Sequence, residues 1–179
     1  MASIIKANQL QDFGGNSIIT SDGAGVVTPN ATGIKNVPAF HAYLSSAQTV
    51  TDNTITKAQI DTEILDTDNC YDNSTNYRFT PTTAGKYFVY FAIACEADAN
   101  VINDVSVYLY KNGVEYLEVR DNPVSSERGM DVGGSNIVDF NGTTDYVEVF
   151  GRINVDSNTP SFSSATKSTY FGAYRIIGA

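Results

Sequence analysis

The one histidine of this chain, His41, is its only side chain that titrates near neutral pH unperturbed, and it lies in the alternating run Phe40-His41-Ala42-Tyr43-Leu44. That setting makes it a structural or surface residue rather than a general base. No Gly-x-Ser-x-Gly elbow, Gly-x-x-x-x-Gly-Lys phosphate loop or His-Glu-x-x-His pair is present, so serine hydrolysis, phosphoryl transfer and zinc proteolysis have no motif behind them. Two carboxylate pairs, Asp61 with Glu63 and Asp145 with Glu148, have the residue types of a glycoside hydrolase. Any acidic, strand-rich chain supplies such pairs by chance, so a glycan-degrading enzyme stands only as an alternative to a non-enzyme. The densest polar run, Asp66-Thr67-Asp68-Asn69-Cys70-Tyr71-Asp72-Asn73, has the oxygen ligands a hard cation wants. Counted from Asp66, however, Tyr71 stands where a calcium loop needs Gly and Tyr77 where it needs Glu. An ordinary Asx-rich turn with no cofactor is the expectation, calcium the alternative. Cys70 and Cys95 lack Cys-x-x-Cys spacing and are expected to be free thiols.

The elements that position these residues read as strands throughout. Phe40, Ala42 and Leu44 alternate with His41 and Tyr43; Ile60, Thr62 and Ile64 alternate with Asp61 and Glu63; Val105, Val107 and Leu109 alternate with Ser106, Tyr108 and Tyr110. Residues 86–94, Lys-Tyr-Phe-Val-Tyr-Phe-Ala-Ile-Ala, are apolar on both faces, which predicts a central strand whose second face is also covered, in one arrangement by another subunit. Asn112-Gly113 and Asn141-Gly142 each separate two such runs, the strongest short-range hairpin signal. Strands at this spacing predict two packed antiparallel sheets. Residues 1–37 differ in kind: Gly-rich, with apolar residues such as Ile4, Ile5, Leu10, Ile18 and Ile19 too sparse for a core, they are expected to form a short irregular anchor ahead of a single domain at 38–179.

With 20 acidic against 11 basic residues the net charge is −9, and the cations are scattered singly. A nucleic-acid phosphate backbone is repelled by such a surface. No apolar run approaches the ~20 residues a spanning helix needs, so membrane insertion is not expected. No secretory signal is legible in the opening residues, which predicts assembly inside a cell. Eleven tyrosines without tryptophan supply large amphipathic side chains suited to sheet packing and to protein or glycan contact.

From Phe40 onward the chain resembles the C1q-like jelly roll, related in fold to the tumour necrosis factor family. The resemblance is carried in order by Pro38-Ala39-Phe40-His41-Ala42, by Asp68-Asn69 through Tyr71-Asp72 to Arg78-Phe79-Thr80-Pro81, and by Gly85-Lys86-Tyr87-Phe88-Val89. It continues through Leu109-Tyr110-Lys111-Asn112-Gly113, Asp145-Tyr146-Val147-Glu148-Val149 and Tyr170-Phe171-Gly172-Ala173-Tyr174. Upstream there is neither a Gly-X-Y repeat nor a heptad pattern. The leader Ile4-Ile5-Lys6-Ala7-Asn8-Gln9-Leu10 with Ile18-Ile19-Thr20-Ser21-Asp22-Gly23 instead resembles that of bacteriophage tail-fibre and head-fibre proteins.

What the resemblance implies is an all-β jelly-roll sandwich that forms a homotrimer, with subunit contacts from Tyr87, Val89, Phe91, Tyr170, Phe171 and Tyr174. It further implies a virion-surface head, assembled in the host cytoplasm, that binds a host cell-surface glycan or protein and is held to other virion proteins through Ile4, Ile5, Leu10, Ile18 and Ile19. The long polar stretch 121–134, with Asn122, Glu127, Arg128, Met130 and Asp131, is the expected receptor-facing loop. A capsid decoration protein without receptor binding is the structural alternative.

Overall fold

A computed structural model of the chain describes residues 7–31, 34–99 and 101–178. In chain order its strands begin with β1 (Gln9–Gln11), β2 (Ser17–Ser21), β3 (Val27–Pro29), β4 (Ala39–Tyr43), β5 (Gln48–Thr49), β6 (Thr56–Lys57), β7 (Thr62–Asp66) and β8 (Tyr71–Asp72). They continue with β9 (Arg78–Phe79), β10 (Gly85–Glu96), β11 (Ile102–Lys111), β12 (Val114–Asp121), β13 (Gly129–Phe140), β14 (Val147–Val155), β15 (Ser161–Phe162) and β16 (Tyr170–Arg175). A turn of 3-10 helix, Ala165–Lys167, precedes the last strand, and the described residues contain no α-helix and so none long and apolar enough to cross a membrane.

Two sheets make the sandwich. In the first, which has seven strands, β10 is the axis: β13 pairs along its whole length, from Gly85↔Phe140 to Glu96↔Gly129, and β16 and then β15 take the other edge. β4 and β7 continue outward from β16, and β5 from β15. The second sheet runs β12-β11-β14-β9-β8, with β6 also against β14. All pairings are antiparallel. Alternation then decides burial. Tyr87, Val89, Phe91 and Ile93 of β10 with Phe171 of β16 point across to Val105, Val107 and Leu109 of β11 and Val147, Val149 and Ile153 of β14, all at most 1% exposed. At one end of this core Phe40 stacks on Phe79 and Tyr71 at 4.5 and 4.6 Å and meets Phe171 edge-on at 4.8 Å, offset and T-shaped geometries that the ring quadrupoles favour.

The Asn112-Gly113 hairpin forms as expected: both residues take positive φ, 53° and 76°, between the closing pair Lys111↔Val114. Asn141-Gly142 does not form one. β13 and β14 lie in different sheets, and the Asn141 side chain instead accepts hydrogen bonds from the N–H groups of Thr143, Thr144 and Asp145, shaping a loop that crosses between layers. Ile60 is buried as expected but Ile64 is 56% exposed, because Ile60 precedes β7 and does not share its register.

The N-terminal segment is not irregular. β1, β2 and β3 make a three-stranded meander that pairs only within itself, with Leu10↔Ile19↔Pro29 in one row. Its turns are built by Asp carboxylates: Asp12 accepts from the Asn16 N–H, Asp22 from those of Ala24 and Val26. Of the proposed anchor residues, Leu10 is 56% exposed, Ile18 and Ile19 are half-buried, and Ile4 and Ile5 lie outside the described residues.

Candidate functional site

The outward face of the first sheet carries the site. Because β10, β16 and β4 are in register, three rows of side chains stand side by side: Phe88, Tyr174 and Ala39; Tyr90, Gly172 and His41; Ala92, Tyr170 and Tyr43. Ile137 of β13, 51% exposed, extends the first row. The rings touch in a continuous sheet, with centroids 5.5 Å apart for Phe88 and Tyr174, 6.1 Å for Phe88 and Tyr90, and 6.2 Å for Tyr90 and Tyr170. Tyr90 lies flat across β16 because residue 172 is glycine: a Cβ there would come within 2.3 Å of the Tyr90 ring. Each ring is only half-buried within one chain, and Tyr174 is 40% exposed.

His41 sits within this ridge. Its ring is 5.8 Å from both Tyr90 and Tyr170, and its Nδ1 is 3.1 Å from the Tyr90 hydroxyl. Burial, and then the positive charge of Lys167, hold its pKa below the ordinary histidine value. Burial likewise pushes the Tyr90 hydroxyl up, aided by Tyr170 and Tyr174. The ridge is therefore neutral at physiological pH. Charges stand around it, where Lys86 pairs with Asp139 at 2.7 Å, Lys167 lies over the Tyr43 ring at 4.5 Å and Asp131 lines the adjoining hollow. Beside the ridge is a hollow of about 430 Å³, floored by Ala92, Gly133 and Ser135 and walled by Phe88, Tyr90 and Tyr170. An apolar centre with a charged rim, and a ridge next to a hollow, is the anatomy of a protein–protein contact.

The six residues expected at subunit contacts divide between the two faces of β10 and β16. Tyr87, Val89, Phe91 and Phe171, expected between subunits, are at most 1% exposed and packed inside the sandwich; only Tyr170 and Tyr174 stand on the outward face. Since Tyr-Phe-Val-Tyr-Phe is aromatic and apolar at every position, alternation alone does not say which set faces in, and Phe88, Tyr90 and His41 were missed. The expected receptor loop is also shorter than 121–134. Met130 and Asp131 lie in β13, opposite Cys95 and Ala94, and Glu127 is bridged to Ile102, which leaves residues 122–128 as the connection, with Asn122 and Arg128 exposed.

Of the other candidate groups, Glu63, Asn69 and Asn73 make no side-chain hydrogen bond with the described residues, and the rest are tied into the framework. The Asp66 carboxylate accepts from the N–H groups of Cys70 and Tyr71, and that of Asp72 from Ser74, Thr75 and Asn76. These bonds, that from Thr75 foremost, bring Asp72 down to about 2. Among the described residues no group of three or more His, Cys, Asp or Glu is placed to hold a metal ion. Asp61 accepts from the Ser45 N–H and hydroxyl, Asp145 from Asn112 and Lys111, and Glu148 pairs with Lys57. Cys70 and Cys95 are buried free thiols, and burial raises both pKa values.

No family model matches the sequence, and no curated protein is significantly similar to it. Solved structures are. Murine APRIL at pH 8.0 superposes with a TM-score of 0.55 at 11% identity over 77% of this chain and 98% of that one. Eiger TNF from S. frugiperda superposes with a TM-score of 0.54 at 11% identity over 79% of this chain and 93% of that one. The chain folds as a tumour-necrosis-factor-like jelly roll. At such identity the likeness is one of fold alone.

Proposed function

We propose that the chain is a bacteriophage virion-surface protein, a homotrimeric jelly-roll head that attaches to a host cell-surface glycan or protein and has a binding and structural rather than catalytic role. One observation carries the assembly: a neutral aromatic ridge, half-exposed in the single chain, lies beside a hollow of about 430 Å³ on the same sheet face. Ridge and hollow at different positions do not satisfy each other within one copy. A neighbour turned about an axis places its ridge in this hollow, the relation repeats, and the ring closes. Covering even ~1,000 Å² of such surface at ~25 cal/mol per Å² gives on the order of 25 kcal/mol before association costs, which leaves room for a stable complex. Closure in three is what the C1q-like resemblance implies.

The virion placement is supported by the leader's resemblance to phage fibre proteins and by the meander, whose Leu10 and Val27 are 56% and 58% exposed with no second layer over them among the described residues. A sheet of this size needs a partner, which here is another virion protein. Three identical heads raise avidity for a repetitive cell surface without new contacts. Electron cryomicroscopy of virions bearing a tagged chain tests the placement, and competition by the purified protein tests attachment. The expected results are threefold density on the particle surface and blocked adsorption. Surface density with undiminished adsorption would replace attachment by shell decoration; no density on the particle would overturn the virion reading.

A further inference from the structure

A second hollow, of about 480 Å³, opens where the edge strand of one sheet, β7, meets the edge strand of the other, β8. Glu63 comes to it from β7, Asn69 and Asn73 from the loops flanking β8, and Arg78 and Thr80 from β9 and the residues after it. The loops are fixed from behind, since the Asp66 and Asp72 carboxylates are spent on backbone N–H groups. Arg78 is held with its guanidinium 4.5 Å above the Tyr146 ring, which fixes its plane and leaves its N–H groups available. Tyr71, whose hydroxyl donates to the Ile60 carbonyl at 2.7 Å, closes the floor. The side chains of Glu63, Asn69, Asn73 and Thr80 make no hydrogen bond or ion pair with the described residues. The rim of this hollow thus presents a carboxylate, a guanidinium, two carboxamides and a hydroxyl, all unspent and carried on a rigid frame.

We propose that this hollow binds a neutral saccharide, with Glu63 accepting from and Arg78 donating to adjacent ring hydroxyls while Asn69 and Asn73 do both. The inference deepens the attachment reading by naming the ligand class and its site. A sugar hydroxyl both donates and accepts, so vicinal pairs match a carboxylate, a guanidinium and a carboxamide in turn. An apolar peptide anchor has no wall to rest on here. An anionic glycan or phosphate meets the carboxylates of Glu63 and Asp72, the latter Arg78's direct neighbour on β8, on a chain of net charge −9. Burial and the neighbouring Asp66 raise the Glu63 pKa, the direction expected of a carboxylate that lacks a cation partner. The volume lies within the range of small-molecule sites, and the preformed rim spares the ligand the cost of ordering it.

Saturation-transfer NMR and calorimetry on the full chain, with lactose, maltose and N,N′-diacetylchitobiose as neutral probes and sialyllactose as the anionic one, test the site. At least one neutral disaccharide is expected to bind at millimolar concentration, and Glu63→Gln with Asn73→Ala is expected to weaken it at least 10-fold at unchanged melting temperature. Glu115→Gln, on the opposite edge strand β12, is expected to leave binding intact, and Glu63→Gln alone serves if the double variant unfolds. No neutral probe binding, binding indifferent to Glu63→Gln, or tighter binding of sialyllactose overturns the proposal. If the purified protein blocks adsorption while sugar binding survives Glu63→Gln, this site falls and attachment stands; if it binds sugar through Glu63 without blocking adsorption, attachment falls and the site stands.

Discussion

The two sheets turn very different surfaces outward. On the second, the alternating positions of β11 and β14 carry Asp104, Ser106, Glu148 and Arg152 beside the rings of Tyr108, Tyr110 and Phe150, Tyr110 and Phe150 lying 4.4 Å apart, and the charges of Asp104, Glu148 and Arg152 are matched within the chain. Asp104, 8% exposed at its side chain, accepts from Arg152 and from Asn154 at 2.6 Å, with Arg120 at 3.2 Å; Glu148 is paired with Lys57. Burial alone raises a carboxylate pKa, yet the hydrogen bonds from Asn154 and Arg152 outweigh it and hold Asp104 below its ordinary value. On the first sheet the corresponding positions carry Phe88, Tyr90, Tyr170, Tyr174 and His41, with Lys86, Asp139, Lys167 and Asp131 around them. A face that satisfies its own polar groups is finished against water. A face of half-exposed rings is the surface the proposed assembly would cover.

The largest effect that sharpens this contrast comes from the layer between the faces. Phe171 is 0% exposed, so Phe171→Ala is expected to cost roughly 3 to 5 kcal/mol in chemical denaturation. Because the ring points inward, the loss belongs to the fold of each copy, and the variant's dissociation constant, measured by sedimentation at native temperatures, should stay near that of the parent. Next comes Arg152→Met on the finished face, which strips Asp104 of its nearest cation and is expected to lower stability by about 1 to 3 kcal/mol, again without changing the mass in solution.

The smallest effect separates the faces by pH. His41 has a depressed pKa, so its neutral form is favoured in the folded and covered state. The stability this lends is intact above the ordinary histidine value near 6.5 and is lost as pH falls below it through the depressed value. Asp104, also depressed, keeps its contribution until pH drops below the ordinary carboxylate range near 4. In the proposed assembly His41 lies within the covered face, where its protonation between about pH 6 and 4.5 would bury a charge, so the assembly should weaken there while each copy stays folded. Sedimentation across that range checks it, with His41→Gln expected to flatten the profile; a parent whose association is equally strong at both ends contradicts a covered His41.

Much of this was legible in the sequence. Alternation at Val105-Ser106-Val107-Tyr108-Leu109 and the paired φ demands of Asn112-Gly113 fixed β11 and its hairpin, because both signals are local. The facing of β10 was not, since every position from Tyr87 to Phe91 is apolar and only the partners across the sandwich choose between the two sets. Nor was β13. Gly129-Met-Asp-Val-Gly-Gly has little strand propensity, yet it is drawn into twelve consecutive pairs by the long free edge of β10. The saccharide hollow joins Glu63 to residues 69–80 across the open edge of the sandwich, a juxtaposition that exists only once the sheets have packed.

Sedimentation equilibrium on the intact chain at neutral pH and micromolar concentration, with Tyr90→Asp alongside, tests the covered face most directly. Three copies of 19.3 kDa, about 58 kDa, are expected for the parent, and 19.3 kDa with an unchanged circular dichroism spectrum for the variant. A parent that sediments as a single folded copy would contradict the account.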